Sequence, residues 1–453
     1  MSKYPMKKIN SNYTRLIMLL LGITTVLIIY SVSFKINIYI YFFLASIIFL
    51  TIFTKHNIKG WYWLSLMLII YSFPHFFYYY FFGQSPVINN ESLKLIMNDS
   101  NYNLEAIKLL SSFIISLYCG SALFNLIKSL PIYNQSIIYK EDIKANLFGK
   151  FFIYIILGFL LYSSFQSIDF NVQKNSYNLG GFRFLFAVCF ILNFLILCYF
   201  FYDKSKIKYL ILFLLLYSLI LGYFGVRQVL FWLYVSLLIA YFFKSYIEKK
   251  KINWFLIIII LFITFLVFGF ILGYRNEKEF SIYTLSRAWS LSVYGLNAET
   301  SFTFYNMMAS IKLSYITDFF FMKDFKDIFL YLIPFPIFPN KYEFMTLIQF
   351  ARDYDLKPYG TYFILGQLKL SLRYDILIHL FAFLVGFMME IFLFLVLKKK
   401  SNLLVILYIS FVTMVLIYSV RNTIPAGIKV FISYNLLIYL IIKYKVVLKN
   451  KLS

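Results

Sequence analysis

Apolar runs recur along almost the whole chain, separated by short tracts rich in lysine, asparagine and tyrosine. A helix that crosses about 30 Å of hydrocarbon at about 1.5 Å per residue needs about 20 predominantly apolar residues. The runs predict twelve such spans, at 16–34, 36–54, 60–82, 104–127, 148–168, 182–202, 209–224, 226–243, 252–273, 375–397, 403–419 and 428–442. Only Gly222, Gly225 and Arg227 punctuate the turn at 209–243, which reads either as two spans or as one re-entrant hairpin.

One stretch breaks the series. Tyr274–Tyr374 holds 11 Lys/Arg and 9 Asp/Glu, too polar to cross a bilayer. Inside it, Ser281–Leu296 and Glu299–Leu313 have helical patterning, and Asp324–Leu332 places Ile328, Phe329 and Leu332 on one apolar face. These short helices are expected to lie along the membrane surface and wall off a cavity. Pro334, Pro336 and Pro339 predict an extended segment ending at Asn340 and Lys341, and Gly360 and Gly366 predict tight turns before the tenth span. No internal repeat is present.

Composition settles the class. With 62% hydrophobic and 14% charged residues, the 453-residue chain has more apolar surface than a soluble core hides, and residues 1–453 are expected to form one all-α, polytopic membrane domain. The net charge of +24 does not indicate a nucleic-acid binder, because the basic residues sit in short tracts between apolar runs. The charged start, Lys3 to Arg15, followed by apolar Leu16 to Tyr30, resembles a signal sequence but reads as a retained first span. Cys119, Cys189 and Cys198 all fall in apolar segments without paired spacing, as small core residues do.

Charge also orients the chain. A cytoplasmic N-terminus puts 24 Lys/Arg and 4 Asp/Glu on the inside, against 19 Lys/Arg and 14 Asp/Glu outside, so both termini are expected in the cytoplasm and Tyr274–Tyr374 outside. Arginine is distributed differently from lysine. Among the inside cations only Arg15 is arginine, whereas Arg183, Arg227, Arg275, Arg287, Arg352, Arg373 and Arg421 all fall outside. A guanidinium fork binds phosphate or carboxylate oxygens in a bidentate way that lysine cannot. The asymmetry points to an anionic ligand at the outer interface, such as a pyrophosphate; pairing with outer acids such as Asp375, or snorkelling to headgroups, is the plainer reading of any single arginine.

The remaining motifs are sparse. Asp353-Tyr354-Asp355 has the form of a metal-holding D-x-D, but two carboxylates alone do not make a site, and no metal or other cofactor is expected. Of the three histidines only His379, one turn into the tenth span on the outer side, is placed to carry a proton. Glu390, nearer the cytoplasmic end of that span, reads either as functional or as a hydrogen-bond partner of a neighbouring helix. There is no phosphate-binding glycine loop, nucleophile elbow or zinc pattern.

The combination resembles the bacterial O-antigen and oligosaccharide repeat-unit polymerases of the Wzy type. It rests on the many spans, the Gly225-Val226-Arg227 turn, the dominant late external loop, the Pro336-Ile337-Phe338-Pro339-Asn340-Lys341 element in it, and a looser match over Gly360–Gly366. The resemblance implies a GT-C-like helical membrane fold in the bacterial cytoplasmic (inner) membrane. The implied activity is a metal-independent glycosyltransferase that moves a glycan from undecaprenyl pyrophosphate onto another lipid-linked repeat unit, building O-antigen, capsule or exopolysaccharide. Its partners would be lipid-linked donor and acceptor, membrane lipid, and flippase and chain-length regulator proteins.

Under that resemblance Arg227, Arg275, Arg287 and Arg421 stabilise the leaving pyrophosphate, and the proton acceptor is Glu299, Asp318 or His379. Arg183, Lys341 and Arg373 with the aromatics Trp289 and Tyr294 would bind substrate, alongside Tyr305 as a further stacking candidate. The alternatives are a polysaccharide ligase of the same superfamily and a transporter or flippase of lipid-linked oligosaccharide, since twelve spans with both termini inside is also a transporter layout.

Overall fold

A computed structural model of the chain describes residues 58–82, 99–128, 228–248, 303–315, 321–333, 340–353, 363–399 and 401–436, with further positions within 16–29, 193–201, 250–269, 337–338 and at 439. The described residues are all-helical and contain no strand. Helices α1 (Gly60–Phe82) and α2 (Ser100–Ile127) are followed by α3 (Gln228–Ile247), α4 (303–314), α5 (Phe321–Leu332), α6 (Thr346–Asp353) and α7 (Ile364–Leu372). Then come α8 (Asp375–Lys399), α9 (Asn402–Arg421) and α10 (Ile424–Ser433). Among the described residues α2, α8 and α9 are long and apolar enough to cross a membrane. The spans expected at 36–54, 148–168 and 209–224 lie outside the described residues, and 19–27, within the expected first span, is helical.

The chain divides into two compact units, one of Met1–Tyr133, Asn297–Lys399 and Met414–Lys429, the other of Asn134–Leu296, Lys400–Thr413 and Val430–Ser453. In the first unit the closest partners are α2 and α8. They run parallel: Glu105 and Asp375, near their starts, share one lysine, while Ser121 and Glu390, near their ends, hydrogen-bond each other. Helices gain no hydrophobic drive to associate in lipid, so close backbone packing over small residues must do it. Gly120 and Gly386 supply that packing. A Cβ on Gly120 would collide with the Phe383 carbonyl, and one on Gly386 with the Leu117 carbonyl. Phe124 packs edge-on against Phe387 and Phe394 near the far end.

The later part of the polar stretch belongs to this unit, and two of its expectations change. Helix α4 does not lie along a surface: every residue from Thr303 to Ile311 is buried. Its apolar Phe304, Met307, Met308 and Ile311 alternate with small Ser310 and Ala309, so it is fit for an interior on all sides. Phe304 stacks on His75 of α1 at 4.5 Å, and His75 bonds Asn103 of α2 at 2.6 Å. Gly366 is not a turn residue but lies within α7, where a Cβ would come 2.9 Å from the Met307 Cα. Its lack of a side chain serves close approach to α4.

Between α4 and α7, the α5–α6 segment fastens itself. Lys341 is buried and its Nζ donates to the Tyr331 carbonyl at 3.4 Å and to the Ile333 carbonyl, at the C-terminal end of α5 where a cation is favoured. In return Asp327 of α5 caps α6, its Oδ1 accepting from the Thr346 N–H (2.8 Å) and its Oδ2 from the Leu347 N–H (3.0 Å). Burial pushes the Asp327 carboxyl above the usual carboxylate range, against the lowering effect of those two N–H bonds. Asp327 is thus turned inward, while Phe329 of the expected apolar face is 68% exposed and Ile337 and Phe344 are exposed near it in sequence. Exposed apolar side chains on an amphipathic helix suit a membrane surface.

Helix α9 passes through a π-helical turn at Val412–Ile417 and ends at Arg421. The tight return into α10 is fixed by Gly427, whose added Cβ would meet Ser419 Oγ at 2.6 Å and the Met414 carbonyl at 2.8 Å. Gln367 of α7 secures this return, its Oε1 accepting from the Ile424 N–H at 2.8 Å. In the second unit the N-terminal part of α9 packs on α3 through Tyr408 and Phe243, and Phe411 meets Phe431 edge-on. Lys244, in the last turn of α3, donates to the Phe200 carbonyl at 2.6 Å and lies 4.1 Å from the centre of the Phe200 ring.

Candidate functional site

The N-terminal ends of α2 and α8 hold a cluster of four side chains from four helices or helix ends. Lys369 of α7, only 5% exposed, places its Nζ 3.0 Å from Glu105 Oε1 and 2.7 Å from Asp375 Oδ1. Tyr315, just after α4, donates its hydroxyl to the same Glu105 oxygen at 2.6 Å, and the Lys369 ammonium lies 5.5 Å from the centre of the Tyr315 ring. Local structure sets each position. Asp375 occupies the first turn of α8, where the partial positive charge of the helix start favours a carboxylate. Lys369 lies in the last turn of α7.

The electrostatics follow from burial. Taking an ammonium out of water lowers its pKa, but the charges of Asp375 and Glu105 and their hydrogen bonds outweigh that, and Lys369 is held above the ordinary lysine value. Two carboxylates share one ammonium, so the cluster carries one excess negative charge. Each carboxylate is partly open, 22% exposed at Glu105 and 23% at Asp375.

The α7–α8 elbow adds a strained residue. Arg373 has φ 57°, a left-handed conformation that costs a non-glycine residue about 1 kcal/mol or more, and its N–H donates to the Lys369 carbonyl at 3.0 Å. The turn sets Lys369 and Asp375 on the same ion pair while leaving Arg373 exposed. His379 follows one turn into α8, buried and within electrostatic reach of Asp375 and Lys369. Arg421 closes α9, whose last turn packs on α7.

His379 is thus within electrostatic reach of Lys369, Arg373 is the exposed residue that ends α7, and Arg421 lies in the α9 turn that packs on α7, whereas Lys341 is taken up in capping α5. Arg183, Arg227, Arg275, Arg287, Trp289, Tyr294, Glu299 and Asp318 lie outside the described residues. Tyr305 is buried. Asp353 is exposed at the end of α6, and its D-x-D partner Asp355 lies outside the described residues. Among the described residues no three His, Cys, Asp or Glu side chains gather as metal ligands do. Comparison with known proteins finds no matching family model, no similar characterised protein and no similar solved structure.

Sequence reasoning missed Glu105 and Lys369 as site residues and took Asp375 as a partner for arginine. One signal was present: Lys369 interrupts the apolar Ile364–Leu372 segment, and a cation that folding will bury needs an anionic partner.

The opposite end of the pair holds a different arrangement. Glu390 is 1% exposed, lies 2.8 Å from Lys59 Nζ, and accepts from Trp61 Nε1 at 3.1 Å and Ser121 Oγ at 2.6 Å, all through Oε1. Of the two readings open for Glu390, the contacts match that of a carboxylate tying neighbouring helices.

Proposed function

We propose that the chain is a metal-independent glycosyltransferase that polymerises undecaprenyl-pyrophosphate-linked oligosaccharide repeat units at the outer face of the bacterial cytoplasmic membrane. It would span that membrane twelve times, with both termini cytoplasmic and Tyr274–Tyr374 outside. The observation that carries this reading is the cluster at the starts of α2 and α8: Lys369, Glu105 and Asp375 with Tyr315 on Glu105 and His379 within electrostatic reach, at the end the charge pattern assigns to the outside. The parallel course of α2 and α8 agrees with the expected order of spans, the fourth and the tenth, which cross the membrane in the same direction.

In the reaction the bond between the donor sugar's anomeric carbon and the pyrophosphate oxygen breaks. A bond to the acceptor's hydroxyl oxygen forms, the hydroxyl proton passes to a base, and undecaprenyl pyrophosphate leaves with the electron pair. The charge that develops on the leaving oxygens needs preorganised donors, the task of Arg227, Arg275, Arg287 and Arg421. His379 and the carboxylates beside Lys369 are the described groups able to take the proton.

Replacing Arg227 or Arg287 with lysine in the producing bacterium is expected to abolish polymer while single repeat units persist on the cell surface. Unchanged chain length in both variants contradicts the proposal. Long polymer retained on the lipid carrier in a deletion strain would instead mark a ligase, and repeat units trapped on the cytoplasmic face a flippase.

A further inference from the structure

The glycosyl acceptor needs a binding surface as well as a base, and the Lys369 cluster has the chemistry for one. An ionised carboxylate accepts hydrogen bonds only, through about four lone-pair sites. Among the described residues Glu105 uses Oε1 for both Lys369 and Tyr315, and Asp375 uses Oδ1 for Lys369. Glu105 Oε2 and Asp375 Oδ2 accept no hydrogen bond there, and both carboxylates are partly exposed. Tyr315 is 60% exposed, so a ring fixed by its own hydroxyl bond presents an open apolar face beside them.

We propose that Glu105, Asp375 and Tyr315 form a subsite for a sugar ring of the acceptor glycan, with two ring hydroxyls donating to Glu105 Oε2 and Asp375 Oδ2 and the ring's C–H face lying on Tyr315. Lys369 is a positioning residue: buried between the two carboxylates, it fixes their separation and sets which oxygens face outward. The excess negative charge sets the specificity. Neutral and amino sugars are accepted, and uronic acids are repelled. A subsite built from acceptors that need hydroxyl donors also rejects deoxy analogues, which leave a carboxylate oxygen unpaired.

This subsite rests on the polymerase reading only for the word acceptor; binding of free sugar tests it separately. The full-length chain in detergent or nanodiscs is titrated with soluble neutral oligosaccharides and with uronate oligosaccharides of equal length, followed by saturation-transfer NMR. The wild type is expected to bind the neutral set and not the uronate set. Tyr315→Ala and Glu105→Gln weaken binding about ten- to a hundredfold, the range for losing a hydrogen bond to a charged group or a comparable contact. Tyr315→Phe keeps the ring, so its binding falls less than that of Tyr315→Ala. Because Tyr315 is exposed, its alanine variant is expected to melt with the wild type, which separates lost binding from lost fold. No sugar binding by the folded wild type, equal binding of uronates, or full binding by both variants overturns the subsite. A chain that binds sugar yet extends no lipid-linked repeat unit contradicts the polymerase and leaves the subsite standing.

Discussion

The two ends of the α2–α8 pair use the same chemical parts in opposite proportion. At one end a single carboxylate, Glu390, receives an ammonium, an indole N–H and a hydroxyl and is 1% exposed. At the other a single ammonium, Lys369, is buried between two carboxylates that remain partly open. The first end concentrates its donors on one oxygen deep inside the helices, and its contacts tie α1, α2 and α8 together. The second sets two carboxylates against one ammonium, and both carboxylates are partly exposed. A surplus of acceptors at a partly exposed site is what ligand binding requires, and a closed arrangement is what a structural clasp requires.

The largest effects are expected where the two ends are held in one frame. Gly120→Val or Gly386→Val drives a side chain into a backbone carbonyl, forces α2 and α8 apart and is expected to cost about 4 kcal/mol or more. The yield of monodisperse, folded protein measures it, and wild-type yield from both variants would break the comparison. Next comes Glu390→Ala, which leaves the Lys59 ammonium without its partner; removing one member of a buried pair costs about 3–5 kcal/mol. Thermal unfolding in detergent should show a clear fall, smaller for Glu390→Gln, which keeps an acceptor for Trp61 and Ser121.

A smaller effect depends on pH. The folded-state pKa of Lys369 is raised, so its contribution is fully present below the unfolded lysine value of about 10.4 and is lost as pH rises through the higher folded value. Melting temperature should therefore fall through that alkaline window, and Lys369→Met should flatten this limb; a limb unchanged in the variant would assign it elsewhere. Smallest is the stability change in Glu105→Gln and Tyr315→Ala, expected within about 1 kcal/mol because both groups are at least partly exposed. A large loss in either would make this end structural as well.

Apolar run length alone located several helices closely: α1 at 60–82 as expected, α8 starting at Asp375, and α9 at 402–421 against an expected 403–419. Long helices are legible because lipid imposes one length and one polarity on them. The interior role of α4 was not, since its mixture of Phe, Met, Ser and Asn fits both a surface and a close-packed core. Gly366 was misjudged for a related reason: a glycine read as a turn serves close approach to a neighbour that only the folded chain brings near, and the engagement of Lys341 at the end of α5 was equally invisible to local pattern. The site itself lies furthest from local pattern, because Tyr315 and Glu105 meet across 210 positions. Among the residues singled out from charge and topology, His379 lies within electrostatic reach of Lys369 and Asp375, Arg373 follows directly on the helix that carries Lys369, and Arg421 ends the α9 turn that packs on that helix.

The most direct measurement reconstitutes the purified chain in vesicles with an undecaprenyl-pyrophosphate-linked repeat unit and follows the lipid-linked products by size. The wild type is expected to yield a ladder spaced by one repeat unit, Glu390→Gln to retain it in proportion to its folded fraction, and Tyr315→Ala to require a higher acceptor concentration while still folded. A folded wild-type chain that yields no ladder would contradict the account at its centre.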